Sequence, residues 1–476
     1  MIRNVKNRAL DSVLTLAVVG HPNEGKSSVL ATLAEDDAIR ISPVPGETQS
    51  VDVIHVSLDG VELFRLADTP GFQNPEAIAD WIRKTATPDL SGKPLFEYFC
   101  AEFSGKTRFR HDRELVRGLI GASAILYVLD GSRPVRSYDL AEMDILRMSG
   151  LPRVALINSK TDEPRFVEDW KKVLNLHFSA IRLFDAHRAR FNDRIAIVET
   201  LRSIQQDWEP ILNKVSAALK ENWLHRMHAC AGFIVDHVID AIEFSVTAEY
   251  PIRSDFKAYE DKARNSYTRT IEQKEARCFE QMKHLFRHRL AEFSIPPHPI
   301  LDDSLFSSHT WRMLGLSRRQ LALGAAAAGA VGGVALDLAF SGLTFGVFTA
   351  TSALVAGSTA YMRGDRLAEI RILHSSLGHN ELQVGPNRDP NFPFVLIDRC
   401  LLHFDTISHW THARRDTPGS STNDSKGFTA SWPNQSVQTV MRLVKAIHKN
   451  YLGEVEDLRN QLVVLLVEEL QRIASR

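Results

Sequence analysis

The nine residues Gly20 to Ser28, GHPNEGKSS, constrain this chain more than any other stretch. They follow an apolar-rich run, Val13 to Val19, and lead into a helix-like run that starts near Ser27. A strand, a turn bounded by glycines and a helix start, with Lys and Ser after the second glycine, read as a phosphate-binding loop. Gly20 and Gly25 let the backbone curl until consecutive N–H groups face inward. Lys26 then reaches β/γ-phosphate oxygens, and the Ser27 hydroxyl is placed to ligate Mg²⁺. The candidate phosphate site is the whole loop: Gly20, His21, Pro22, Asn23, Glu24, Gly25, Lys26, Ser27 and Ser28.

What surrounds the loop predicts the sheet. Val51 to Leu58 alternates apolar and polar residues, Asp59-Gly60 supplies a hairpin turn, and Val61 to Ala67 returns. Strands are also expected at Ala122 to Asp130, Arg153 to Ile157 and Ile181 to Phe184, with helices at Tyr138 to Met148 and Asp193 to Gln206. Strands alternating with helices at this spacing give an α/β domain, a doubly wound and mostly parallel sheet, over residues 1–207. Ligands of such sheets sit beyond the carboxyl ends of the strands, where the motifs fall. Arg3, Lys6 and Arg8 ahead of the first apolar run imitate a signal peptide. The run leads straight into the phosphate loop, however, and reads as the first strand.

A phosphate loop holding Mg²⁺ needs further ligands. Thr48, in the Pro- and Gly-containing segment before the second strand, is placed to be one. Asp68, ending the third strand in Asp68-Thr69-Pro70-Gly71, holds the metal through water, and the Gly71 N–H reaches the γ-phosphate. Two segments tied to one phosphate make a switch, because hydrolysis removes the tether. Lys26, Thr48, Gly71 and Asn23 are the residues expected to carry the chemistry.

The rest of the chain is helical in pattern. Ile211, Val215, Leu219, Trp223, Met227 and Cys230 recur at three- to four-residue steps within a charged helical segment, 208–300. A helical C-terminal domain is expected over 301–476. Within it, Leu321 to Met362 holds Asp337 as its only charge and is rich in Ala and Gly. Two readings stand for this apolar hairpin, 321–362. Either it contacts or inserts in a membrane, or it packs as a tight helical hairpin in a soluble core. Asp337 opposes insertion, at about 2.5–3.5 kcal/mol for a mid-bilayer acid. Pro393 to Arg414 reads as an amphipathic helix carrying Phe394, Phe404 and Trp410; His403, His409 and His412 are too loosely spaced to favour a metal site. A mobile loop is expected over 416–435, then one long helix from Val437. The charge balance, 57 basic against 58 acidic residues, gives no general pull toward nucleic acid. Cys100, Cys230, Cys278 and Cys400 lack zinc spacing and read as reduced cytosolic thiols.

GHPNEGKSS, PGETQ and DTPG, in this order and spacing, resemble the Era-like branch of the translation-factor class of GTPases over residues 12 to 207. The resemblance implies a P-loop GTPase fold with GTP or GDP and Mg²⁺ as ligands. It explains Phe72, a hydrophobic residue where Ras-type enzymes keep a Gln; water must then be positioned by something other than the adjacent Gln73. It also makes Asn23 a ligand for K⁺, which would neutralise transition-state charge in place of an arginine finger. The family's base-reading motif is Asn-Lys-x-Asp, and here the run is Asn158-Ser159-Lys160-Thr161-Asp162. Either Ser159 replaces the Asn, or Asn158 keeps its place and one residue is inserted. Lys160 and Asp162 are favoured as readers, with Asn158 bracing the loop, and Asp185-Ala186 is the best match to the following Ser-Ala motif. The full chain is similar to bacterial Era-like GTPases carrying a C-terminal domain of unknown function, through Leu314 to Gly346 and Phe394 to Phe404.

The resemblance implies GTP hydrolysis to GDP and phosphate, as a nucleotide-dependent switch coupled to the helical C-terminal half; membrane contact by that half is the expectation from the composition of 321–362. Cytoplasmic placement, peripheral to or inserted in the inner membrane, and pairing through the GTPase domain are expected with these readings. Two alternatives stay open: a soluble switch in RNA or ribosome assembly, and a low-turnover regulatory binding module. Against the RNA reading there is no KH-like or OB-like module.

Overall fold

The computed structural model describes residues 13–21, 24–34, 51–58, 61–158, 165–185, 191–251, 256–286, 299–317, 320–321, 370–374, 379–409, 427–449 and 451–475. Contacts divide the chain into two compact units, the first running through Leu224 and the second beginning at His225.

The first unit opens with β1 (Thr15–Val19), α1 (Lys26–Ala34), β2 (Asp52–Leu58) and β3 (Val61–Asp68). Three helices follow: α2 (Pro75–Thr85), α3 (Lys93–Glu102) and α4 (Arg110–Gly121). Then come β4 (Ala124–Asp130), α5 (Ser137–Met148), β5 (Arg153–Asn158), α6 (Val167–Leu174), β6 (Ala180–Leu183) and α7 (Phe191–Ile204). The strands form one sheet in the order β2-β3-β1-β4-β5-β6. Only the β2–β3 pair is antiparallel. This is the doubly wound, mostly parallel sheet that the spacing predicts.

The unbroken apolar runs have a plain cause. On β1, β4 and β5, residues of one parity (Ala17, Val19, Ile125, Tyr127, Ala155, Ile157) join a core with Ile78, Phe96, Leu115, Ile145 and Trp170. Residues of the other parity (Leu16, Val18, Leu126, Val128, Val154, Leu156) join a second core with Val29, Leu30, Ile197 and Leu201. Both faces are covered, so neither parity is left free to be polar.

The second unit holds most of α8 (Glu209–Glu243), then β7 (Val246–Pro251), α9 (Phe256–Leu285), α10 (Ser308–Met313), β8 (Ile370–His374), β9 (His379–Val384), α11 (Phe392–His409), α12 (Asn434–His448) and α13 (Leu452–Ala474). It is mainly helical, as the pattern predicts, with an antiparallel sheet in the order β7-β9-β8. Strand β7 interrupts what reads in sequence as one helical stretch. Helices α8 and α9 run antiparallel, tied by Lys274 Nζ to Asp240 at 3.0 Å, Cys278 Sγ to Phe233 O at 3.5 Å and the stacked Phe244–Tyr267 rings.

Three expectations change here. Helix α11 is buried around its circumference rather than amphipathic: Phe392, Phe394, Val395, Leu396, Ile397, Asp398, Arg399 and Cys400 are all buried. Residues 427–435, inside the expected mobile loop, include a 3₁₀ turn at Phe428–Ser431 and the start of α12. The Asp398 carboxylate fixes that turn by accepting from Thr429 N and Thr429 Oγ1, each at 2.8 Å. The last helix is two helices, α12 and α13, broken where Tyr451 N–H bonds Ala446 O at 3.0 Å. Among the described residues no helix is long and apolar enough to cross a membrane. The apolar stretch 322–362 lies outside them.

Candidate phosphate-binding site

Strand β1 ends at Val19, and the chain turns at once through Gly20. A Cβ at Gly20 would lie 2.1 Å from Val128 O, so the loop's close approach to β4 admits only glycine there. Gly25 has φ +100°, and a Cβ on it would lie 2.2 Å from Asn158 Nδ2. Both glycines of the motif are thus sterically required. Helix α1 starts on Lys26 and carries no acid in its first turn, leaving its positive end bare of carboxylates from its own sequence.

Lys26 Nζ folds back onto the loop, donating to Gly20 O at 2.9 Å and His21 O at 3.2 Å. Burial lowers its pKa, opposed by the charges of Asp68, Glu142 and Glu24. Asp68, which ends β3, pairs in register with Val18 of β1. After it the chain is fastened in four places. Thr69 Oγ1 donates to Val18 O at 2.8 Å, and Phe72 is buried in the core. The buried Asp112 carboxylate of α4 accepts from Gln73 N at 2.7 Å and Asn74 N at 3.1 Å. Sequence reading treats this segment as free once a γ-phosphate leaves; these fastenings involve no phosphate. Gln73 itself is exposed.

Asn158 closes the loop from the end of β5. It ends β5 beside Asp130, is buried, and donates from Nδ2 to Glu24 O at 3.1 Å. Gly20, His21, Glu24, Gly25, Lys26, Ser27, Ser28, Asp68, Gly71 and Asn158 thus lie at the carboxyl ends of β1, β3 and β5. Asp185 lies just past β6. Pro22, Asn23, Thr48, Lys160, Asp162 and Ala186 lie outside the described residues.

Sequence reading missed the side chains that hold the loop from behind. The His21 ring stacks on Tyr138 at 4.4 Å and puts Nδ1 3.4 Å from the Glu142 carboxylate. Glu142, fully buried, accepts from Tyr127 Oη at 2.9 Å; burial raises its pKa, with His21 and Tyr127 opposing. Glu24 pairs with Arg133, which also binds Asp139. The only available signal was Glu24 itself, an acid in a loop built for anions. Ser27 and Asp68, a hydroxyl and a carboxylate beside a glycine cradle, offer the hard oxygen donors that suit Mg²⁺. Among the described residues, no group of three His, Cys, Asp or Glu is placed to hold a metal ion by itself.

Comparison with known proteins follows the division of the chain. A family model described as "50S ribosome-binding GTPase" matches residues 15–159, and one described as "Domain of unknown function (DUF3482)" matches residues 171–468. The tRNA modification GTPase MnmE of Streptococcus pneumoniae (strain D39) is 24% identical over 251 residues, 52% of this chain and 48% of that protein. MnmE of Streptococcus thermophilus is 28% identical over 163 residues, 34% of this chain and 29% of that protein. The chain spans about half the length of the first of these relatives. Among solved structures, Era in complex with MgGDPNP and a segment of 16S ribosomal RNA aligns at TM-score 0.29 and 19% identity, over 40% of this chain and 56% of that one. A probable GTP-binding protein engB aligns at TM-score 0.26 and 15% identity, over 40% and 97%.

Proposed function

The chain belongs to the DUF3482 family, with an Era-like P-loop GTPase domain ahead of the domain that defines it, and from this premise we propose that it hydrolyses GTP to GDP and phosphate as a nucleotide-dependent switch. The observation that carries the reading is the half-buried Lys26, folded onto the carbonyls of Gly20 and His21 in a loop whose two glycines tolerate no side chain. In the proposed reaction Lys26 leaves the carbonyls of Gly20 and His21 for phosphate oxygens. The N–H groups of the loop and of Gly71 bind the remaining oxygens. Ser27, Thr48 and Asp68 would hold Mg²⁺, which supplies charge neutralisation when bound. Asn158 keeps the loop shaped, and Lys160, Asp162, Asp185 and Ala186 read the base. Phe72 is buried and carries no group to orient water, so Asn23 is assigned to K⁺ as the rate-enhancing ion.

The test is binding and turnover on the full chain. Lys26→Ala is expected to lower GTP turnover by at least about a hundredfold. Hydrolysis faster in K⁺ than in Na⁺, with the difference lost in Asn23→Ala, supports the ion assignment. ATP competing with labelled GDP as well as GTP does would overturn the guanine assignment. For the second unit we propose membrane contact through residues 321–362, supported by their composition, with Asp337 the only charge. Failure of the full chain to float with anionic liposomes, with and without a GTP analogue, removes that reading.

A further inference from the structure

We propose that Arg133 is a positioning residue for the phosphate loop, acting through Glu24 to make an acid-bearing loop receptive to polyphosphate. The proposal rests on the nucleotide reading above.

A phosphate loop works by gathering N–H groups and one Lys, and a carboxylate inside it has the wrong sign. Glu24 directly precedes Gly25 and Lys26 and is only 4% exposed, so water screens it little. Lys26 faces Asp68 and Glu142 as well as Glu24, three carboxylates around one ammonium. Left alone, this arrangement would repel the anion that the loop is shaped to take.

Arg133 offsets the Glu24 charge. Its Nε donates to Glu24 Oε1 at 2.6 Å, while Glu24 Oε2 accepts from Asp130 N. Both terminal nitrogens reach Asp139, each at 2.7 Å. The guanidinium lies 5.1 Å from the Trp170 ring centre and 5.4 Å from that of Tyr138. Trp170 Nε1 donates to Arg133 O at 2.7 Å, so the backbone is fixed as well as the side chain. Asp139 is itself held, accepting from Arg136 N at 2.8 Å as it caps α5. A planar fork gripped on this many sides cannot drift from Glu24. It therefore sets both the charge and the position of the residue before Gly25.

The experiment measures binding of fluorescent GDP and GTP analogues to the full chain with Mg²⁺. Failure of the unsubstituted chain to bind would remove the nucleotide reading itself. Given binding there, Arg133→Met is expected to weaken it about 30-fold or more, because the Glu24 charge behind the loop is left unneutralised. Adding Glu24→Gln to Arg133→Met is expected to return affinity to within about fivefold of the original, since the repulsion goes with the charge. A purely structural role for Arg133 would leave the double variant as weak as the single one, and that result overturns the proposal. So does an Arg133→Met variant that binds like the unsubstituted chain. Should Arg133→Met not fold, Arg133→Lys carries the same test. It keeps a cation beside Glu24, so binding should stay within about fivefold of the original and Glu24→Gln added to it should bring little further gain; a loss as large as about 30-fold that Glu24→Gln does not relieve overturns the proposal.

Discussion

Each unit of this protein ties an arginine to a buried carboxylate, and the two do it for different ends. Arg133 joins Glu24 and Asp139 at the rim of the phosphate loop, its side chain 15% exposed. Arg399, in the middle of α11, is 4% exposed. It binds both oxygens of Glu275 at 2.7 and 2.9 Å and donates to the carbonyls of Ile300 and Asp303. The first pair faces a site where a ligand changes the local charge. The second faces only protein, and its neighbour Asp398 holds Gly315 N at 2.7 Å and the Thr429 turn from the same helix. A charge at a ligand rim can act on affinity; a charge at the centre of a helical unit acts on whether that unit folds.

Glu275→Gln should break the comparison most severely. An arginine cannot shed its proton, so the substitution strands a full charge in the core. The second unit is expected to lose about 3–5 kcal/mol, read as a shift in its denaturant transition. Glu275→Gln combined with Arg399→Met should recover most of that loss. A shift below about 1 kcal/mol for the single variant would mean that Arg399 is solvated in a way its 4% exposure contradicts.

Acid sharpens the same contrast. Burial lowers the pKa of His237 and of His403 to about 4, the latter although its Nε2 donates to Phe279 O at 3.2 Å. Below its unfolded value each histidine is protonated more readily in the unfolded chain, so stability falls as pH drops from 6.5 toward 4. Asp398 has the opposite sign. Burial raises its pKa to about 6, so its contribution grows as pH falls through that value. Between pH 7 and 5 the two histidines cost roughly 2 kcal/mol each and Asp398 returns about 1, leaving a net loss of very roughly 2–3 kcal/mol. Thermal melts across that range check it, and His237→Phe should flatten the slope. Arg133 has no proton to lose there, so the Glu24 contact keeps its cation throughout.

How much of this was legible differs between the units for the same physical reason. The loop at Gly20 to Ser28 announces itself because phosphate binding demands specific residues at fixed local spacing. The two-faced burial of β1, β4 and β5 announces the sheet because both parities must be apolar. Arg133 and Asp139 sit only six residues apart, yet their partner Glu24 is 109 residues from Arg133, and no local pattern joins them. In the second unit the contacts that tie its elements together include remote ones: Arg399 is 124 residues from Glu275, and β7 pairs with β9 across more than a hundred residues. Helix α11 read as amphipathic because Asp398, Arg399 and His403 look like a polar face. They are polar groups whose partners arrive from elsewhere in the chain. Asn158 is expected to brace the loop of the base-reading run; the partner its side chain shows is the Glu24 carbonyl, 134 residues away, and no local pattern joins the two.

The smallest expected effect separates charge that cannot be discarded from charge that can. Tyr127→Phe removes the hydroxyl that donates to the buried Glu142, with almost no change of shape in a fully buried ring. An unpaired carboxylate there would be costly, but Glu142 already has its pKa raised by burial and can take up a proton instead. The first unit should therefore lose only about 1 kcal/mol, the net worth of one hydrogen bond. That is well under the cost of stranding Arg399. The loss should also shrink on going from pH 8 to pH 5, because the Tyr127 hydroxyl favours the ionised carboxyl and protonation removes what it stabilises. His21 shares that carboxylate at 3.4 Å, so nucleotide affinity provides a second reading. A loss of 3 kcal/mol or more that does not vary with pH would show Glu142 locked in its charged form. The first unit would then hold a fixed buried charge of the same kind as Arg399, and the distinction between the two units would fall.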